Sequence, residues 1–134
     1  MRLNLVSPTH LTDQHLIAEK RELRMIPALL QKKFSKKGIA LKRDIPPVFV
    51  LGTGHMNFWL DKLKFLKDRF ILIQDEMKHR NFFVDETKII DTALAEMIGC
   101  CGDWSPRDQD VLVSKARIKQ KLLVNYRAAK DSAA

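Results

Sequence analysis

Residues 12–23 read Thr12-Asp13-Gln14-His15-Leu16-Ile17-Ala18-Glu19-Lys20-Arg21-Glu22-Leu23, and this stretch predicts the start of a helix. Thr12 or Asp13 can cap it, because either side chain accepts a bond from an orphan backbone N–H. Past the cap there is no glycine until Gly38 and no proline until Pro27. At about 100° per residue, Leu16, Leu23, Ile26, Leu30 and Phe34 share one arc and form the core face. Gln14, Ala18, Arg21 and Glu22 share another, with His15 at its border. His15 and Glu22 lie two turns apart on one side, and the small Ala18 between them leaves room for something to approach. Two readings follow. One is a solvated polar face with a helical ion pair. The other is a carboxylate set beside the core in a cationic, hydrogen-bonding surround, which is a site.

A chain of 134 residues fits a single domain, residues 1–134. Its 46% of aliphatic, aromatic and cysteine residues suffices for a core and excludes wholesale disorder. The net charge of +8 favours a polyanionic partner, nucleic acid first of all, over charge kept for solubility alone. No apolar run approaches the roughly 18 residues of a membrane span. Arg2 is followed by no apolar signal core, so secretion is not expected and a cytoplasmic location is. Cys100 and Cys101 are adjacent, which makes a poor disulfide framework, and no Cys or His pair stands at metal-ligand spacing. Reduced thiols, no metal, no cofactor and a monomer are the expectations.

Taken in order, the chain predicts an all-α fold of three main helices joined by long irregular connections. Residues 1–11 form an arm. Met1 is expected to stay, since Met aminopeptidases act before small residues and Arg2 is large. An α-amine has a reference pKa near ~7.7–8.0, so part of it is neutral and nucleophilic at physiological pH. Helix one runs from Asp13 to about Lys36, with Pro27 as an interior breaker, a lysine-rich end and Gly38 as the stop. Val48-Phe49-Val50-Leu51 is expected as a buried extended run, and Gly52-Thr53-Gly54-His55 as a turn into the next helix. That turn is no nucleotide loop, because no Gly-Lys-Ser/Thr follows it. Helix two is expected over Asn57–His79, with Trp59, Leu63, Leu66, Phe70, Ile73 and Met77 on one arc and Phe58, Phe65 and Leu72 beside it. Residues 81–103 are irregular except for a helical turn near Thr92–Met97. Helix three starts with Ser105 as cap and Pro106 at its first position, and buries Val111, Ile118 and Leu122. From Val111 to Lys130 it carries six basic residues and no acid, a surface suited to phosphates. Residues 128–134 are expected to fray.

Several collinear blocks resemble the pyrimidine-dimer DNA glycosylase/AP lyase family of the bacteriophage endonuclease V type. They are Arg2-Leu3-Asn4-Leu5, Asp13-Gln14-His15-Leu16, Ala18-Glu19, Arg21-Glu22-Leu23, Phe49-Val50-Leu51-Gly52 with Gly54-His55, Asp61-Lys62-Leu63 with Phe65-Leu66, and Ala116-Arg117 with Lys121. The resemblance implies an all-α domain that cuts ultraviolet-damaged duplex DNA. An N-terminal amine attacks C1′, an imine joins enzyme to DNA, and elimination breaks the 3′ phosphodiester. On that pattern Met1 and Glu22 are catalytic. Arg2, Gln14, His15, Arg21, Arg117 and Lys121 contact DNA, and so does Arg24, beside the family arginine's position at Met25. Three departures stand out. Met1 replaces a threonine amine, Lys20 replaces a tyrosine, and Tyr126 alone represents an aromatic C-terminal segment. The alternatives are an AP lyase or glycosylase for another lesion, or an inactive basic DNA-binding protein. Glu22 weighs against the last, because an unneeded acid facing phosphates is unfavourable.

Overall fold

Thr12 starts the first helix. Its Oγ1 accepts the backbone N–H of His15 at 3.2 Å, so it and not Asp13 is the cap. Asp13 instead receives the Arg80 guanidinium at 2.9 Å. In this computed structural model the backbone is described for residues 3–133 and the side chains for residues 3–122. Among the described residues there are five α-helices: α1 (Asp13–Lys37), α2 (His55–Phe58), α3 (Leu63–His79), α4 (Ala93–Ile98) and α5 (Asp108–Ala133). No strand accompanies them, and the fold is all-α with α1, α3 and α5 as its main helices. The chain divides into two units, one of Met1–Leu3 with Pro8–Trp104 and one of Asn4–Ser7 with Ser105–Ala134.

In the first unit α1 packs on α3. Leu16, Leu23, Ile26 and Leu30 are buried as the period required, and Phe34 is half-buried. Trp59, Leu63, Leu66, Phe70, Ile73 and Met77 are buried opposite them. Pro27 does not end α1, which continues to Lys37 and stops at Gly38, where a positive φ of 57° suits glycine. Within this apolar contact lies an ion pair. Arg69 of α3 donates from Nε to Glu19 Oε2 at 2.7 Å and from Nη2 to Oε1 at 3.2 Å. Glu19 is 0% exposed and Arg69 8%. At the other end of α3, Arg80 donates to Glu76, Asp13 and the carbonyls of Pro8 and Thr9, clasping the 3-10 turn Pro8–His10 to the start of α1.

The long second helix expected over Asn57–His79 is broken. α2 ends at Phe58, a 3-10 turn covers Trp59–Asp61, and Lys62 is non-helical at φ −123°, ψ 36°. The cause is a distant segment. Leu63 N–H donates to Cys100 at 3.2 Å, Phe65 N–H to Gly102 at 3.3 Å, and Gly102 N–H to Asp61 at 3.0 Å. A Cβ on residue 102 would meet the Asp61 oxygen at 2.7 Å, so only glycine lets the segment this close. Lys62 closes the corner from within, donating to the Phe58 carbonyl and the Asp61 carboxylate and lying 3.9 Å over the Phe58 ring. Around the corner the rings of Phe49, His55, Phe58, Trp59, Phe65 and Trp104 meet at centroid distances from 4.9 to 6.1 Å. Leu72 of the expected second stripe is 53% exposed. Of Val48–Leu51 only Phe49 is buried, because the run joins no sheet and Phe49 is its one ring in the aromatic cluster. The short helix near residue 92 is present as α4.

The second unit is α5 with the segment Asn4–Ser7. Its helix starts two residues later than Ser105-Pro106 suggests. The first helical bond runs from Val111 N–H to Arg107, and the Asp110 carboxylate reaches back to accept the Arg107 N–H at 3.0 Å and its guanidinium at 2.9 Å. Asp110, Ser114 and Ile118 are buried, whereas Leu122 is 42% exposed and Val111 half-buried. The two buried polar groups have different partners: Asp110 holds Arg107, and Ser114 Oγ accepts the Leu5 N–H at 2.9 Å.

Two outcomes test these contacts. Arg69→Ala removes the two-bond fork from the buried Glu19 and should cost about 3–5 kcal/mol in urea unfolding, while a Glu19→Leu/Arg69→Met double variant should recover most of it. A loss below about 1 kcal/mol would mean that the pair behaves like a surface one. The Arg107 hydrogen bond, ahead of its charge, holds the Asp110 carboxyl below its ordinary value of 3.8. Folding thus favours the ionised form. Its stabilisation should be full at neutral pH and disappear as the pH falls from about 3.8 through the lowered native value. Asp110→Asn should flatten that part of the thermal-midpoint profile followed by circular dichroism.

Candidate active site on the first helix

Helix geometry places Gln14, His15, Ala18, Arg21, Glu22 and Arg24 on one element, and burial separates their roles. Gln14, Arg21 and Arg24 are exposed, and His15 and Ala18 are half-buried. Glu22, expected among the polar residues, is 9% exposed. It sits where the polar arc meets the core, about 60° round the helix from Glu19. Glu19 is neutralised by Arg69. No side chain among the described residues hydrogen-bonds or ion-pairs with the Glu22 carboxylate. The residue retains a narrow exposure of 9%. Two carboxylates three residues apart therefore do different things: one is tied into the fold, and the other is aimed out of it.

His15 lies within about 20° of Glu22 on the helix, roughly 10 Å further toward the N-terminus. Its Nδ1 shares a 2.8 Å hydrogen bond with Thr12 Oγ1, the same oxygen that caps α1. The hydroxyl can accept the backbone N–H and give its own hydrogen to Nδ1, which leaves the proton on Nε2. Cap and site are thereby one device: the group that starts the helix also sets the rotation of the imidazole.

The other flank of α1 is cationic. Burial first, then the charges of Arg24 and Lys88, holds the Lys20 ammonium below its ordinary range. Lys20 also lies 5.9 Å over the Phe70 ring. Arg24 rims a groove of about 280 Å3 with Pro27, Gln31, Ile89, Asp91 and Leu94. Arg117, half-buried, and Lys121, exposed, stand on α5 in the second unit. Met1 and Arg2 lie outside the described residues, as does the side chain of Tyr126.

Sequence reasoning missed the residues that hold this arrangement. Glu19 stands in the middle of the Leu16–Leu23–Ile26 arc and Arg69 beside the Leu66–Phe70–Ile73 arc. A charge of opposite sign on each of two apolar faces was the available signal. His55, taken as part of a turn, is buried and makes three hydrogen bonds among the described residues. Nδ1–H donates to the Val50 carbonyl at 2.7 Å, while Nε2 accepts the Leu3 N–H at 3.1 Å and the Trp59 Nε1–H at 3.3 Å. Nothing in the local pattern announces that pairing, which spans 52 positions.

A protein-family model described as pyrimidine dimer DNA glycosylase matches residues 1–90. The match takes in α1, α2 and α3, with Glu19, Glu22, His55 and Arg69, and stops short of α5. No helix among the described residues is long and apolar enough to cross a membrane.

The contrast between the carboxylates is measurable without substrate. Glu22→Gln removes a nearly buried charge that has no ion-pair partner among the described residues and should leave unfolding free energy unchanged or raise it by up to about 1 kcal/mol. Glu19→Gln should lower it by about 3 kcal/mol, because Arg69 then loses its counter-charge. Equal losses in urea titrations of the two variants would show that Glu22 is as structural as Glu19.

Proposed function

The chain belongs to the pyrimidine dimer DNA glycosylase family, and from that premise we propose that it is a bifunctional enzyme, a glycosylase and AP lyase acting through a Schiff base. Its family makes DNA the substrate. The observation that carries the finer reading is Glu22: a nearly buried carboxylate at the edge of the core, unneutralised among the described residues, within the matched segment.

The reaction needs a nucleophile, and the α-amine of Met1 is the proposed one. Its lone pair attacks C1′, the glycosidic bond breaks, and the departing base takes the bonding electrons. The C1′–nitrogen adduct opens to an imine, and loss of a C2′ proton expels the 3′ phosphate. Each stage carries positive charge at C1′ or on nitrogen. A carboxylate beside it stabilises that charge and can move the protons between amine, sugar oxygen and C2′. Glu22 suits this because an ion-paired acid would already have spent its charge on its partner. Glu19 is such an acid. An amine also forms an imine where water cannot, which divides one hard displacement into easier steps.

The remaining residues bind. Arg21, Arg24, Arg2, Arg117 and Lys121 are proposed phosphate contacts that position and bend the duplex. Gln14 and the His15 Nε2–H are proposed hydrogen-bond donors near the opened site. Lys20 and Lys88 add to the positive potential on that flank of α1, which raises the local concentration of DNA.

The test is reductive trapping. Protein with an unblocked Met1 amine is incubated with abasic-site duplex and borohydride, and the adduct is mapped by mass spectrometry. An adduct at Met1 is expected, and cleavage of ultraviolet-irradiated duplex with it. Glu22→Gln should keep duplex binding and lower strand cleavage at least ~100-fold. Binding without any adduct would reduce the chain to a DNA-binding protein. Trapping without cleavage of irradiated DNA would leave an AP lyase.

A further inference from the structure

We infer that His55 is a positioning residue for the N-terminal amine, holding the arm through the backbone N–H of Leu3. The inference rests on the amine reading above. His55 is 1% exposed and far from α1 in sequence, yet it ends up on the arm. Its ring hydrogen is committed to Val50, so Nε2 presents a lone pair, and the Leu3 amide is one of the two donors that meet it. The Leu3 side chain is itself 1% exposed, so packing fixes the same residue that the hydrogen bond fixes. Two residues of chain span at most roughly 7 Å, so a fixed Leu3 nitrogen confines the amine of residue 1 to a small volume. A terminal amine on a freely fraying arm would sample a far larger one, and the reaction would carry the entropy of gathering it in.

The imidazole suits the task for two reasons. It accepts a backbone hydrogen, so the tie holds whatever side chains occupy the arm. It is also set by the corner that breaks the second helix. Val50 precedes the turn, Trp59 follows α2, and both rings that stack about the corner, Phe49 and Trp59, meet His55 edge-on at 5.6 and 5.8 Å. The aromatic cluster thus serves as a mount. The proposed effect of His55 passes through Leu3.

The experiment compares single-turnover trapping with duplex binding in the full chain. His55→Ala should slow imine formation by about 100-fold while leaving DNA affinity unchanged. His55→Gln, whose carbonyl oxygen can accept the Leu3 N–H, should recover part of that rate. Because His55→Ala empties a buried site, a second variant leaves the cluster intact. Leucic acid in place of Leu3, installed by semisynthesis, turns the donor N–H into an ester oxygen and keeps the side chain. It should show the same split between rate and affinity. Parental trapping rates in the folded ester variant overturn the role of His55 alone. Absence of an adduct with the parent protein overturns the amine reading, and this role with it.

Discussion

The Glu19–Arg69 pair is the constraint on which the first unit depends. Burying a carboxylate and a guanidinium is costly unless they are paired, and a two-bond fork pairs them at one relative placement of the helices. Apolar side chains alone would tolerate a slide of α1 along α3. The fork does not, because a shift of one residue would strand two charges in the core. The register of α1 on α3 is therefore set by polarity within an apolar contact. With it is set the direction in which Glu22, one turn further along, is aimed.

That aim is what distinguishes structure from chemistry on this helix. Glu19 and Glu22 are the same residue type in the same sequence neighbourhood. One has a partner and no solvent; the other has a little solvent and no partner among the described residues. The second arrangement suits the catalytic role proposed for Glu22, in which its charge meets one that develops on the substrate. His15 is held in a related way, by the hydroxyl that caps α1, so a helix-start signal also orients a side chain of the proposed site.

The second unit and the arm show backbone amides used as handles. Within the first unit Leu3 gives its N–H to His55, and within the second Leu5 gives its N–H to Ser114. Ser114 on α5 follows from the same need: the arm brings a backbone donor that a wholly apolar helix face could not satisfy.

Much of this was legible in the chain itself. The 3.6-residue period placed α1 and the buried arc of α3, Gly38 ended the first helix, and the Gln-His and Arg-Glu-Leu spacings marked the face on which Glu22 lies. These are local properties, set by side chains within a few turns of one another. The break at Lys62 was not legible, because it is imposed by Cys100–Gly102, some 40 residues away, through amide bonds and one close approach at glycine. The start of α5 was misread for a smaller reason: Ser105-Pro106 has the chemistry of a helix start, but the Asp110–Arg107 pair outcompetes it. Whether a glutamate on α1 is neutralised or left open was equally beyond the sequence pattern. It depends on Arg69 reaching one carboxylate and not the other, and only the crossing of two helices decides that distance.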